Sequence, residues 1–256
     1  YTNNIYNTKQ MTSHVEDYTG GDLRNPGRTA FNKLYSFVLS DTMKFWGDRI
    51  ALTGGFRFQD ILANNYDYNT NARTSSYDRN AFSPVIGLVI HPVKNFSLYF
   101  NRIQGLQKGD TVGATYVNAG HSFAPYQSTQ YEVGAKYDVG RFAVGLAFYQ
   151  LSRRYGIAEA YGTTGQSIYT LADERSKGME LTFNGDILPG LRYNGGISLI
   201  DANTRGGTYN GKTAIGVPNY MINGNLEYDV PFIKGLTLIG RVVSTGKQQV
   251  TLSNSM

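Results

Sequence analysis

The apolar stretches of this chain are joined alternately by very short and very long connectors, and that asymmetry restricts its fold more than any other feature. Ten stretches read as β-strands. Five joints are tight, at Phe45 to Gly47, Pro92 to Lys94, Val139 to Gly140, Asp186 to Pro189 and Val230 to Lys234. The others are long, polar and rich in Gly, Asn, Tyr and Thr. They run from Gln59 to Arg79, Gln104 to Gln127, Arg154 to Arg175, Asp201 to Val217, and from Gly246 to the end. An antiparallel meander with tight turns at one end and long loops at the other is the build of an outer-membrane barrel. Soluble sandwiches spread loop length more evenly over both ends.

The strands carry the two-residue period such a wall needs. Phe142, Val144, Leu146 and Phe148 alternate with Arg141, Ala143, Gly145, Ala147 and Tyr149. Ile50, Leu52, Phe56 and Phe58 oppose Arg49, Ala51, Thr53, Gly55 and Arg57. Met179, Leu181 and Phe183 oppose Glu180, Thr182 and Asn184, and Tyr220, Ile222, Leu226 and Tyr228 oppose Met221, Asn223, Asn225 and Glu227. Successive side chains leave a strand on opposite faces, so each strand has one greasy and one polar face. Phe142, Leu146, Phe183 and Leu236 are expected to meet lipid, and Arg57, Glu132, Glu180 and Glu227 the lumen. A half-buried soluble sheet alternates in the same way, but length separates the two. These segments read as about 10 to 13 residues, against roughly 5 to 6 for a soluble strand and about 9 to 11 for a tilted strand crossing hydrocarbon. Tyr35, Phe45, Trp46, Phe96, Tyr131, Tyr137, Tyr155, Tyr193, Tyr220 and Tyr228 fall near strand ends, where interfacial girdles lie.

Composition narrows the function classes. There is no cysteine, hence no disulfide and no thiolate metal site. No apolar run approaches the ~18 residues of a membrane helix. The mean hydropathy is −0.34, as expected when only alternate residues face lipid. With 13% aromatic and 17% charged residues and 30 glycines, the chain resembles neither a disordered segment nor a typical cytosolic enzyme. Its lysines and arginines are scattered, which gives no nucleic-acid groove.

Catalytic and metal signals are weak. His14, His91 and His121 stand far apart without a second ligand at metal spacing, so no metal site is expected. Asp60, Asp67 and Asp78 share one connector but lack the dense acidic spacing of a calcium loop. Neither a nucleophile elbow nor a phosphate loop occurs, and no Ser, His and Asp form a recognisable triad, so no enzyme is expected.

Several stretches, taken in order, resemble the barrel of TonB-dependent siderophore receptors. They are DRIALTGGFRFQDI (48–61), SLYFNRIQGLQKG (97–109), QYEVGAKYD (130–138), ERSKGMEL (174–181), PGLRYNGGISLIDA (189–202) and GVPNYMINGNLEYDVP (216–231). The resemblance covers nearly everything from about Leu34 onward, and in detail it is nearest to receptors for ferric hydroxamates such as coprogen. It implies an all-β, antiparallel transmembrane barrel of 22 strands, of which 1–256 is a partial barrel domain. The plug domain and the C-terminal strands are expected to lie outside this chain, which starts without a signal peptide in a loop or fraying strand and stops inside a loop.

The resemblance further implies a multi-pass protein of a Gram-negative outer membrane, in contact with the bilayer and lipopolysaccharide. Its cargo would be an iron(III)–siderophore complex, and its energy source the TonB complex, engaged through a missing N-terminal part. No cofactor is implied. A passive or selective porin, or a TonB-dependent transporter of another cargo, is the alternative. A ferric siderophore arrives with its iron already saturated, so the receptor need only wrap it. Rigid aromatics and Arg or Gln donors suit that task. The substrate-binding candidates are Tyr116, His121, Phe123 and Tyr126 in one loop, with Arg57 and Tyr99 on the lumen face. Tyr66, Tyr68, Tyr161, Tyr169 and Tyr209 are further loop aromatics, and Tyr149 shares the lumen face.

Overall fold

The computed structural model describes residue 24 and residues 26–163 and 165–254; His14 and both chain ends lie outside them. The ten strands are β1 (Ala30–Phe45), β2 (Ile50–Tyr66), β3 (Arg73–Val93), β4 (Phe96–Gln107), β5 (Tyr126–Asp138), β6 (Phe142–Tyr161), β7 (Gln166–Leu188), β8 (Leu191–Arg205), β9 (Tyr220–Asp229) and β10 (Thr237–Thr245). They form one sheet in chain order, each strand antiparallel to the next. No helix occurs among the described residues. β1 and β10 do not pair with each other, so the sheet is an arc with two open edges.

The backbone locks the tight turns. Asn95 takes a positive φ of 67° between β3 and β4, a conformation Asn tolerates better than most residues. Gly190 does so at 79° after Pro189, where a Cβ would be strained.

Strands run 9 to 23 residues, longer at the top than the 10 to 13 expected. Two connectors read from sequence as long loops are largely paired backbone. β2 and β3 zip together up to Tyr66 and Arg73, which leaves 67–72 as the turn. β6 and β7 pair up to Tyr161 and Gln166. The apolar alternation that marks a strand stops where a hairpin leaves the hydrocarbon, but its hydrogen bonding continues. Among the described residues only 108–125 and 206–219 are long connectors outside the strands, and each carries isolated bridges of its own. The asymmetry between the two ends therefore lies in hairpin height more than in loop length.

Register separates the two faces. One row across the outer face reads Leu98, Ala135, Leu146, Leu181, Ile197 and Ile222. The corresponding inner row runs from Tyr99 through Gly134, Ala147, Glu180 and Ser198 to Met221. Arg57, Glu132 and Glu227 share that inner face, as expected, and Phe142 and Phe183 share the outer one. Leu236 instead sits in the turn before β10, where its N–H donates to the Ile233 carbonyl, and Leu238 takes the first outer position. Near the tight turns the outer face carries an aromatic ladder, Tyr137–Phe142–Phe183–Tyr193, with neighbouring ring centroids 6.2, 5.8 and 5.7 Å apart. Tyr155 does not belong to any girdle: its register is inner, and its hydroxyl meets that of Thr204 at 3.1 Å.

Exposure follows from this wall. Phe37, Val133 and Leu238 are all more than half exposed because they face outward with no protein beyond them. Buried residues gather instead at the tall-hairpin end, among them Ile61, Ala63, Tyr77, Val112, Tyr126, Ile157, Ala172 and Thr204.

Candidate functional site

The loop at 108–125 is folded rather than slack. It turns back on itself through a bridge between Thr111 and Ser122, whose hydroxyls lie 2.9 Å apart. The Val112 N–H donates to the His121 carbonyl and the Phe123 N–H to that of Asp110, at 2.9 and 3.0 Å. Val112 is buried at its root.

Asp110 fastens this small hairpin to its surroundings. Its Oδ2 accepts from the hydroxyls of Tyr126, at 3.1 Å, and Tyr169, at 2.7 Å. The Tyr126 oxygen in turn accepts from the Asp110 N–H. Tyr77, on β3, accepts from the Gly109 N–H at 3.0 Å. Burial raises the pKa of all three phenols above the usual value of 10.0, Tyr126 up to about 12. For Tyr169 the hydrogen bond to the Asp110 carboxylate adds to burial, because ionising that ring would set two negative charges side by side. Asn118 completes the fastening: its side chain both donates to the Tyr169 carbonyl and accepts from the Tyr169 N–H.

Four rings come together on this frame. Tyr116 lies 5.2 Å from Tyr169 and Phe123 6.2 Å from it, centroid to centroid, while His121 meets Phe123 edge-on at 4.7 Å. His121 is exposed; Tyr116 and Phe123 are half-buried. Tyr126 is only 3% exposed and lies beneath the loop as a support. Tyr169, in the sequence one loop aromatic among many, is the ring that Tyr116 and Phe123 both meet. Glycine spacing carried a signal for it: Gly156 has no side chain because the Tyr169 ring occupies that space.

The β6–β7 hairpin is held on its other side too. Glu159 accepts from the Thr208 N–H at 2.7 Å, and the Tyr155 contact with Thr204 lies on the same face. Arg153 and Glu174 form an ion pair of 2.9 Å across the hairpin. The 206–219 connector is tied in turn to the end of the described chain, where Asn254 bonds the Thr213 backbone in both directions. One hairpin thus stands between two loops and contacts both.

Arg57 and Tyr99 do not join this cluster. Both are on the inner wall below it, Arg57 exposed and Tyr99 donating to Glu132 Oε1 at 2.6 Å, with Lys136 above its ring at 5.1 Å. Gln130 donates to the other Glu132 oxygen at 2.8 Å. The Tyr99 ring covers Gly134 and the Tyr149 ring covers Gly178, each its direct cross-strand partner. These inner-wall glycines seat aromatic rings. Asp60 and Asp78 lie on paired strands, and Asp67 caps the Asn69 and Thr70 N–H groups, which lowers its pKa. Among the described residues no group of three or more His, Cys, Asp or Glu could hold a metal ion.

The TonB-dependent receptor-like β-barrel family matches residues 1–255. The chain belongs to that family. It is 29% identical over 265 residues to the ferrichrome receptor FcuA of Yersinia enterocolitica, covering 99% of this chain and 34% of that receptor. It is 29% identical over 155 residues to the metal-pseudopaline receptor CntO of Pseudomonas aeruginosa, covering 58% and 21%. Among solved structures, the ferric preacinetobactin receptor BauA of Acinetobacter baumannii superimposes with a TM-score of 0.77 at 29% identity, covering 88% of this chain and 34% of BauA. The chain thus spans about a third of the receptors it matches. TonB-dependent receptors are outer-membrane transport barrels of Gram-negative bacteria rather than enzymes, and the ten strands here are an arc of such a barrel. The lipid-facing belt and wet inner wall follow directly.

Proposed function

We propose that the protein is an outer-membrane receptor that captures an iron(III)–siderophore complex and imports it with energy from the TonB system. The observation that carries this reading is the folded aromatic loop at 108–125, braced on the β6–β7 hairpin in a chain matching a ferrichrome receptor over nearly its whole length. The structural likeness to BauA supports the same cargo class. In this reading Tyr116, His121 and Phe123 contact the chelate, and Tyr126 holds the loop from below. Arg57 and Tyr99 line the route on the inner wall. A ligand whose iron is already saturated asks for area and rigidity, which rings fixed on a prefolded loop supply at low entropic cost.

Binding of ferrichrome and other ferric hydroxamates to the purified full-length receptor, followed by quenching of intrinsic fluorescence, tests the assignment. Tyr116→Ala and Phe123→Ala should each weaken binding by roughly 1 to 2 kcal/mol, the scale of a significant interface aromatic. An unchanged Kd in both variants would remove this loop from the site. Uptake by whole cells should stop when the proton-motive force is collapsed; transport that continues undiminished would point to a passive pore. Growth of a deletion strain on defined iron sources identifies the chelate.

A further inference from the structure

The outer face of β1 breaks the rule that governs the rest of the wall. Its outward positions read Tyr35, Phe37, Leu39, Asp41, Met43 and Phe45, in register with Asp60, Phe58, Phe56, Gly54, Leu52 and Ile50 of β2. Arg102, Lys177 and Asp201 mark the upper border of the apolar belt on β4, β7 and β8. Asp41 lies inside that belt, with Phe37 and Leu39 above it and Met43 and Phe45 below. A carboxylate among hydrocarbon chains is costly unless a partner neutralises it.

Neither β1 nor β2 supplies that partner. Gly54, directly opposite, has no side chain, and a Cβ there would meet nothing within 4 Å. The diagonal neighbours Leu52 and Phe56 are apolar. The cations of the two strands are engaged elsewhere or face away. Lys44 has inward parity and pairs with Asp48 at 3.6 Å, Arg57 faces the lumen, and Lys33 lies over the Tyr35 ring at 4.5 Å, higher up the strand. Among the described residues Asp41 makes one hydrogen bond, its Oδ1 accepting from the Thr42 N–H at 2.8 Å, which leaves the charge uncompensated.

The remaining neighbours belong to the free edge of β1. That edge is unpaired here, since β1 and β10 do not meet and the chain spans about a third of the receptors it matches. In a closed barrel another strand lies along it. We propose that Asp41 forms an ion pair, inside the lipid-facing belt, with an outward lysine or arginine on the strand that abuts β1 in the full-length receptor. A neutral donor would leave a net charge in the hydrocarbon; a cation removes it. The pair also fixes the join. The other outward residues of the β1 belt are apolar and accept a two-residue slip, but such a slip carries the partner about 7 Å away from Asp41, and a one-residue slip turns it into the lumen.

The full-length receptor, folded into phospholipid vesicles and titrated with urea, tests this pairing, with the folded fraction read from heat-modifiable migration. Leucine suits a lipid-facing site, so Asp41→Leu alone should help a wall with no partner there. With the partner present it strands a cation in lipid and should lower the folding equilibrium roughly hundredfold. Asp41→Glu should keep most of the stability. A charge swap, Asp41→Lys with the facing cation replaced by aspartate, should recover most of what either single change loses. Asp41→Leu as stable as the unaltered receptor, or more stable, would overturn the proposal. So would an abutting strand without an outward lysine or arginine opposite or diagonal to Asp41, or a swap that recovers nothing. An oligomer that Asp41→Leu dissociates in native mass spectrometry, with the folding equilibrium unchanged, would move the partner to a second copy and equally sink the pairing.

Discussion

The belt that meets lipid and the tall hairpins above it are made by the same strands, yet they are organised differently. In the belt each residue's environment follows from parity alone: Leu146 faces outward and Ala147 inward because they are neighbours on one strand. Above the belt parity no longer names the environment. Tyr169 has the outward parity of Leu181, but its hydroxyl is held by Asp110 from a loop between other strands. Lipid and lumen are uniform media, so the belt needs only a repeating pattern. The hairpin end has water around it and gains stability only where protein meets protein, which is why the buried side chains collect there.

Four measurements probe that contrast. The largest effect should be all-or-none. The tall hairpins are expected outside the cell, because barrels of this kind set their tight turns towards the periplasm. Cysteine at Thr115 or Thr163 should react in whole cells with an impermeant maleimide, and cysteine at Lys94 should not. Reaction at Lys94 with Thr115 silent would invert the topology.

Next in size is a charge in the belt. Leu146→Arg should cost about 2 to 4 kcal/mol, the penalty of arginine in the lipid midplane. Ala147→Arg, beside Glu180 on the wet face, should be tolerated. Equal losses of folding yield in bilayers would mean that parity does not decide environment there.

At the hairpin end a single carboxylate should matter. Asp110→Ala strands the buried Tyr126 hydroxyl and frees Tyr169, a loss on the order of 1 to 3 kcal/mol. Hydrogen exchange should accelerate at the Val112, Gly120 and Phe123 amides while belt amides keep their protection. A uniform change across both regions would show that they are one cooperative unit.

The smallest effect is a pH dependence confined to the same end. Tyr126 ionises near 10 when unfolded but only at about 12 when folded, because burial penalises the phenolate. The unfolded loop therefore releases its proton first, and the loop's stability, complete below pH 10, declines as pH rises from 10 through 12. Phenolate absorbance should show a class of tyrosines titrating late, and Tyr126→Phe should remove one of them. A Tyr126 that ionises with the exposed tyrosines would contradict its burial.

By itself the sequence determined the wall: the order of the strands, which side of each meets lipid, the position of the tight turns, and the receptor family. It could do so because lipid imposes a rule on every second residue, and such a rule is local. Connector length misled for the opposite reason, since 59–66 and 166–175 pair their backbones without an apolar alternation to announce it. The candidate ring cluster was legible only in part. Tyr116, His121 and Phe123 stand close in the chain, but Tyr169 is distant from them, and nothing local marks Asp110 as the carboxylate that joins β5 to β7. The tertiary structure alone decided that Tyr126 is a support, that Tyr155 turns inward, and that Arg57 and Tyr99 lie apart from the loop. Those outcomes depend on contacts between segments far apart in sequence, whose partners are fixed only when the hairpins stand side by side.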